Sequence, residues 1–207
     1  MKFLALVFLL TVAGCAHDKK SAPQFAQVAS EIHGPYGRNL PQAPPSETNR
    51  VKFPQGYSIV SPVGWVTRTI PMEDWMKDNV TDQIEIEGDG PVGYKPRITI
   101  QHLGPGENSL YLGFLAKLGQ IPPDGWVPAA FQKQPALKKF YEGSGSRQAI
   151  RGSYQPWLTQ EIFCERDEQG FLLIFDMKNA DKYPYFKQPL PIVEQYLETF
   201  RYKPPKK

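Results

Sequence analysis

The chain has 207 residues, of which 41% are hydrophobic and 22% charged, a globular composition sized for one domain with a real core plus linker. Twenty-four Lys and Arg against 21 Asp and Glu leave a net charge of +3. A nucleic-acid-binding domain would carry clustered basic residues; the one dense basic run here is the short tail Lys203-Pro204-Pro205-Lys206-Lys207, so no nucleic-acid partner is expected.

The chain opens with Lys2 and an apolar stretch from Phe3 to Val12, followed by Ala13, Gly14 and Cys15. Crossing a bilayer as a helix takes about 20 apolar residues, so this shorter core reads as an export signal ending in small residues. Val12-Ala13-Gly14-Cys15 resembles a bacterial lipobox. The resemblance implies a signal peptide over 1–14, lipidation of Cys15 and anchoring in the membrane through that lipid. Ala16 follows the cysteine where an aspartate would alter sorting, which implies the outer membrane, facing the periplasm, in a Gram-negative host. Residues 15–50 read as a tether stiffened by Pro23, Pro35, Pro41, Pro44 and Pro45.

The domain is expected over 51–207. Tyr57-Ser-Ile-Val-Ser61 alternates as a strand, Pro62-Val-Gly64 turns, and Trp65 to Ile70 forms a second strand rich in β-formers. After a polar connection holding Trp75, Gln83 to Glu87 alternates, and Arg97 to Leu103 answers it. A helix capped by Asn108 or Ser109 carries Leu110, Phe114, Leu115 and Leu118 on one stripe and closes at Gly119. Trp126 to Phe131 follows, then four strand candidates: Leu137 to Glu142, Gln148 to Tyr154, Trp157 to Arg166 and Phe171 to Lys178. Phe171-Leu-Leu-Ile-Phe175 is apolar throughout and reads as a central strand covered on both faces. Leu190, Val193, Tyr196, Leu197 and Phe200 recur at helical spacing. This order predicts an α+β fold with a mainly antiparallel sheet flanked by helices.

Gly56-Tyr-Ser-Ile-Val-Ser-Pro-Val-Gly-Trp65 resembles the strand-Pro-x-Gly-Trp hairpin that opens PsbP-like domains. The later order of long helix, strand meander and closing helix before Phe200-Arg-Tyr202 is similar too. The resemblance implies an α/β/α sandwich used as a binding or assembly module and not as an enzyme.

Candidate chemistry is sparse. Gly88-Asp-Gly90-Pro-Val-Gly93 satisfies G-x-G-x-x-G, but phosphate binding needs a helix after the loop, and Tyr94-Lys-Pro96 leads into a strand. A hairpin connection is expected there. His17 and His33 fall in the tether, leaving His102 in the domain. Neither H-x-x-x-H nor C-x-x-C spacing occurs, and no G-x-S-x-G elbow supplies a nucleophile; no metal, cofactor or catalytic residue is therefore assigned. Glu85 and Glu87 share one strand face opposite Ile84 and Ile86 and are expected on the solvated side. With Cys15 lipidated, Cys164 stands alone on an apolar strand face, a small buried hydrophobe without a disulfide.

Trp75, Trp126, Trp157, Tyr94, Tyr183 and Tyr185 fall in or beside connections. The expectation is a non-enzymatic, lipid-anchored envelope protein that serves a protein partner as an interaction or accessory module. The alternative is a small-ligand or glycan-binding protein with a pocket formed by Trp126, Trp157 and His102. A hydrolase built on His102 and nearby carboxylates lacks a nucleophile.

Overall fold

A computed structural model describes residues 40–89, 95–105, 109–118, 125–144, 156–178 and 190–205. Within them the chain runs β1 (Arg50–Lys52), β2 (Tyr57–Val60), β3 (Val66–Thr69), α1 (Asp74–Lys77), β4 (Asp82–Glu87), β5 (Arg97–Gly104) and α2 (Ser109–Lys117). It continues with β6 (Val127–Phe131), β7 (Gln134–Ser144), β8 (Pro156–Arg166), β9 (Gln169–Lys178), α3 (Pro191–Leu197) and β10 (Arg201–Tyr202).

The strands form two sheets. One has the order β1-β2-β10, the other β3-β4-β5-β9-β8-β7-β6, and the pairings in both are antiparallel. The α+β class holds, with two sheets where the sequence suggested one. Pro62-Val-Gly64 does not close a hairpin. β2 pairs with β1 and β10 while β3 pairs with β4, so this turn, with exposed Gly64 at φ 79°, carries the chain from one sheet to the other. The physical reason lies in burial: Tyr57, Ile59 and Val60 are all core residues, whereas β3 is a polar, exposed margin.

β9 sits in the middle of the larger sheet and is apolar on both sides, as its sequence required. Phe171, Leu173 and Phe175 face one core, joined by Ile84, Ile86, Ile98, Ile100, Ile162 and Cys164. β2 and α3 cover that face. Pro191 opens α3, where its missing N–H costs nothing, and Val193, Tyr196 and Leu197 are buried at i, i+3, i+4 spacing. Leu172 faces the opposite core, with Leu103, Leu137 and Phe163 roofed by Tyr111 and Phe114 of α2 and Met76 of α1. Each such side chain contributes roughly 1.5–3 kcal/mol when fully buried, so two-sided packing replaces the missing disulfide.

The folded unit starts ahead of Val51. Leu40 already lies in the first core, and Tyr196 Oη donates to the Ala43 carbonyl at 3.0 Å. The strand expected over Gln148 to Tyr154 lies outside the described residues.

Candidate functional site

The second face of the larger sheet changes character along its length. Near α1 and α2 it is apolar. Beyond them, most positions of that face are polar, with Ile174 of β9 as the apolar exception: Gln83, Glu85 and Glu87 on β4, Arg97, Thr99 and Gln101 on β5, Asp176 on β9, Thr159 and Glu161 on β8. The register brings these into cross-strand rows. Glu87 lies opposite Arg97, Arg97 opposite Asp176, and Asp176 opposite Thr159. On this half Glu85 and Thr159 are buried, while Arg97 and Asp176 remain partly exposed.

Arg97 is the centre of the row. Its Nε donates to Asp176 Oδ1 at 3.0 Å and its Nη2 to Oδ2 at 2.7 Å, a two-pronged grip. Its Nη1 donates to Glu85 Oε2 at 3.1 Å. Lys95 Nζ donates to Glu87 Oε1 at 2.8 Å, and Arg68 Nη2 stands 3.4 Å from the same oxygen. Gln101 Nε2 donates to Gln83 Oε1 at 2.7 Å. Strand by strand the sign alternates: negative on β9, positive on β5, negative on β4, positive on β3.

Burial and charge pull these groups in opposite directions. Burial pushes the Glu85 carboxyl above its ordinary value, with Arg97 opposing and Glu87 and Asp176 adding to the rise. Burial pulls Arg97 down, but its hydrogen bond to Asp176 and the charges of Asp176 and Glu85 outweigh it and raise its pKa. Glu85 and Glu87 are therefore not a solvated face. They do lie opposite Ile84 and Ile86, but Glu85 keeps 6% of its surface, because cross-strand Arg97 supplies the partner that a buried carboxylate requires.

His102, Trp126 and Trp157 are placed separately. His102 is buried on the first face, with Nδ1 3.0 Å from Asp82 Oδ2, Nε2 3.0 Å from Gln169 Oε1, and its ring stacked on Phe171 at 4.8 Å. Trp126 is buried on the second face, edge-on to Phe114 at 4.8 Å with Lys139 Nζ 5.9 Å from its ring centre. The sheet stands between the two, so they do not line one pocket. Trp157 pairs in register with Gly143 and Lys178 on β8. Cys15, His17, His33, Tyr94, Tyr183 and Tyr185 lie outside the described residues.

The His102–Asp82 pair has the orientation of a catalytic dyad, but a nucleophile would have to meet Nε2, and Gln169 occupies that place. Cys164 is fully buried, and burial pushes its thiol up to about 12, far from the thiolate that nucleophilic chemistry needs. Gly88 N–H donates to the Pro96 carbonyl at 2.8 Å, closing the β4–β5 hairpin expected of that glycine-rich stretch. Among the described residues no group of three or more His, Cys, Asp and Glu is placed to hold a metal ion.

Sequence reasoning missed Arg97 and Asp176. Parity put Arg97 on the face of Glu85 and Glu87 once β4 and β5 were paired; Asp176, at the end of an apolar strand, carried no such signal.

No family model matches the chain, and no curated protein matches it. Among solved structures it is similar to a Bacteroides thetaiotaomicron protein, with 9% identity and TM-score 0.47 over 75% of this chain and 48% of that one. It is similar to the Saccharomyces cerevisiae Ran-binding protein Mog1p, with 10% identity and TM-score 0.44 over 74% and 94% of the two chains. It is also similar to LpqN, involved in cell envelope biogenesis of Mycobacterium tuberculosis, with 13% identity and TM-score 0.34 over 68% and 87%. The chain spans about half the length of the first of these.

Proposed function

We propose that this chain is a non-enzymatic accessory protein of the bacterial envelope. In this reading it is anchored by lipid on Cys15, faces the periplasm from the outer membrane, and meets a protein partner through a PsbP-like domain. The lipobox and the Pro-rich segment after it support the anchor, and the Gly56-to-Trp65 resemblance supports the domain type. One observation carries the interaction reading: the ion pairs among Arg68, Glu87, Arg97 and Asp176 hold fixed charges of alternating sign on a sheet face where Arg68, Arg97 and Asp176 stay partly exposed. Preorganised charge of this kind favours partner selection and register over raw affinity. The partially exposed ions, Arg97 at 36% and Asp176 at 30% of side-chain surface, would be met without breaking their mutual bonds.

The test is photo-crosslinking in living cells from Lys95 or Asp176 replaced by a photoreactive residue, with Leu112 on the outer side of α2 as control. A discrete adduct from the first two sites and not from Leu112 is expected. Equal labelling from all three would sink the interaction reading. For the anchor, Cys15→Ser should move the protein from the membrane to the soluble fraction; retention in the membrane would exclude lipid attachment there.

A further inference from the structure

The larger sheet ends in two dissimilar margins. At one, β6 carries Pro128, which removes a backbone donor and blunts the edge. At the other, β3 reads Val66-Thr-Arg-Thr69, with neither proline nor bulge, and no strand lies beyond it among the described residues. Val66 is 53% exposed and Val63, just before it, 78%. Native sheets protect such margins with charges, bulges or a covering element; β3 has one charge, Arg68, with 54% of its side chain exposed.

In register Val66 extends the Asp176–Arg97–Glu87 row, whereas Arg68 lies opposite Glu85 and reaches diagonally to Glu87 at 3.4 Å. With 54% of its side chain exposed, Arg68 also faces outward from the sheet, where a carboxylate complements it. Arg68 and Val66 are two residues apart and thus point to the same face, so an incoming strand would meet both at once.

We infer that β3 is a docking edge for an extended partner segment that pairs antiparallel with it, presenting a carboxylate to Arg68 and, two residues later, an apolar side chain to Val66. This rests on the interaction reading above and names the partner's chemistry: main-chain hydrogen bonds supply attachment and the acidic-x-apolar pattern supplies selection. A second copy of this chain does not fit. β3 offers no carboxylate, so pairing with itself would bring two Arg68 side chains to one seam, and like charges across a seam are unfavourable.

The experiment is hydrogen–deuterium exchange on the full chain with the peptide Ac-Ser-Thr-Val-Thr-Glu-Thr-Val-Thr-Ser-NH2, and with the same peptide bearing Lys in place of Glu. With the Glu peptide, exchange over Val66–Thr69 should slow, while β9 stays unchanged as the folding control. The Lys peptide should need about fivefold more concentration for equal protection, the scale of one cross-strand charge pair. Arg68→Glu should reverse the order of the two peptides. Equal protection by both peptides, protection confined to other strands, or none at any concentration would overturn the edge assignment. A crosslinked adduct from Lys95 alongside unprotected β3 would likewise overturn it, while leaving the interaction reading in place.

Discussion

Tyr57 of β2 donates its phenolic hydrogen to the Asp82 carboxylate of β4, so this side-chain bond ties the small sheet to the large one. The same carboxylate accepts from His102 Nδ1 at 3.0 Å, and the Tyr57 ring leans on Phe171 and Phe200.

Tyr57→Phe keeps the aromatic packing and removes the hydroxyl, leaving Asp82 short of a donor; a loss of about 1–3 kcal/mol is expected. Burial, and then the bond to Asp82, hold the Tyr57 pKa well above the ordinary phenol value of 10.0. A raised folded value means that stability is present below about pH 10 and lost as pH rises past it, because only the unfolded tyrosine ionises there. Urea denaturation at about pH 8 and about pH 10.5 should show the advantage of the native protein over Tyr57→Phe shrinking at the higher pH. An unchanged gap would exclude this account of the bond.

The Glu85 carboxyl is also raised, by burial first. Its contribution is therefore full below the ordinary value of 4.5 and lost as pH climbs, since the ionised form is the costly one in the fold. Glu85→Gln keeps an acceptor for Arg97 without the charge. Relative to the native protein, this variant should gain stability as pH rises above the ordinary value of 4.5. A relative loss over that range would mean that attraction to Arg97 outweighs desolvation.

Gly170 of β9 lies directly under the Tyr111 ring of α2. A Cβ there would stand 2.3 Å from Cδ2 and 2.9 Å from Cε2 of Tyr111, whose hydroxyl donates to Glu165 at 3.0 Å. Gly170→Ala must displace the ring and break that bond, at a cost of about 2–3 kcal/mol. Thermal unfolding reads the loss; a variant as stable as the native protein would show that α2 docks more loosely than described.

Two hairpins turn on residues of which Gln132, Lys133 and Glu168 are poorly suited to positive φ, while Asp167 tolerates it. Gln132 and Lys133 have φ of 52° and 64°, and Asp167 and Glu168 have 49° and 60°, the left-handed pairs of two-residue turns that favour Asn-Gly. Lys133→Gly and Glu168→Gly should each stabilise the protein by about 0.5–1 kcal/mol, detectable as raised urea midpoints. Gln132 is the exception not to touch: its Nε2 donates to the Glu198 carbonyl at 2.7 Å, and its Oε1 accepts from Arg166 at 3.0 Å.

These turns also mark where the sequence could be read and where it could not. Period-two alternation disclosed β4 and β5, and the unbroken apolar run of β9 disclosed a strand buried on both sides, because those patterns come directly from side-chain geometry. The boundary between β6 and β7 was hidden, since Gln132-Lys133 carries none of the residues that usually allow positive φ. β1 and β10 are short strands of 3 and 2 residues, too brief for any period. They exist because β2 offers them an edge, a tertiary cause. The charged row was partly legible: parity grouped Glu85 and Glu87, but Arg97 joins them only through the β4–β5 pairing, and the central position of β9, which brings Asp176 beside Arg97, depends on a long-range pairing that local patterns do not encode.

The small sheet has a mechanical consequence. β1 pairs Arg50 with Val60, and β10 pairs Tyr202 with Tyr57, so the chain comes in at one end of β2 and goes out at the other. Tension applied between residues before Arg50 and after Tyr202 therefore pulls β1 and β10 in opposite senses along β2. The load falls as shear on all their hydrogen bonds at once, where a peeling geometry would break them one by one. Such a load passes from β1 through β2 to β10 and leaves the seven-stranded platform with its charged residues outside its path.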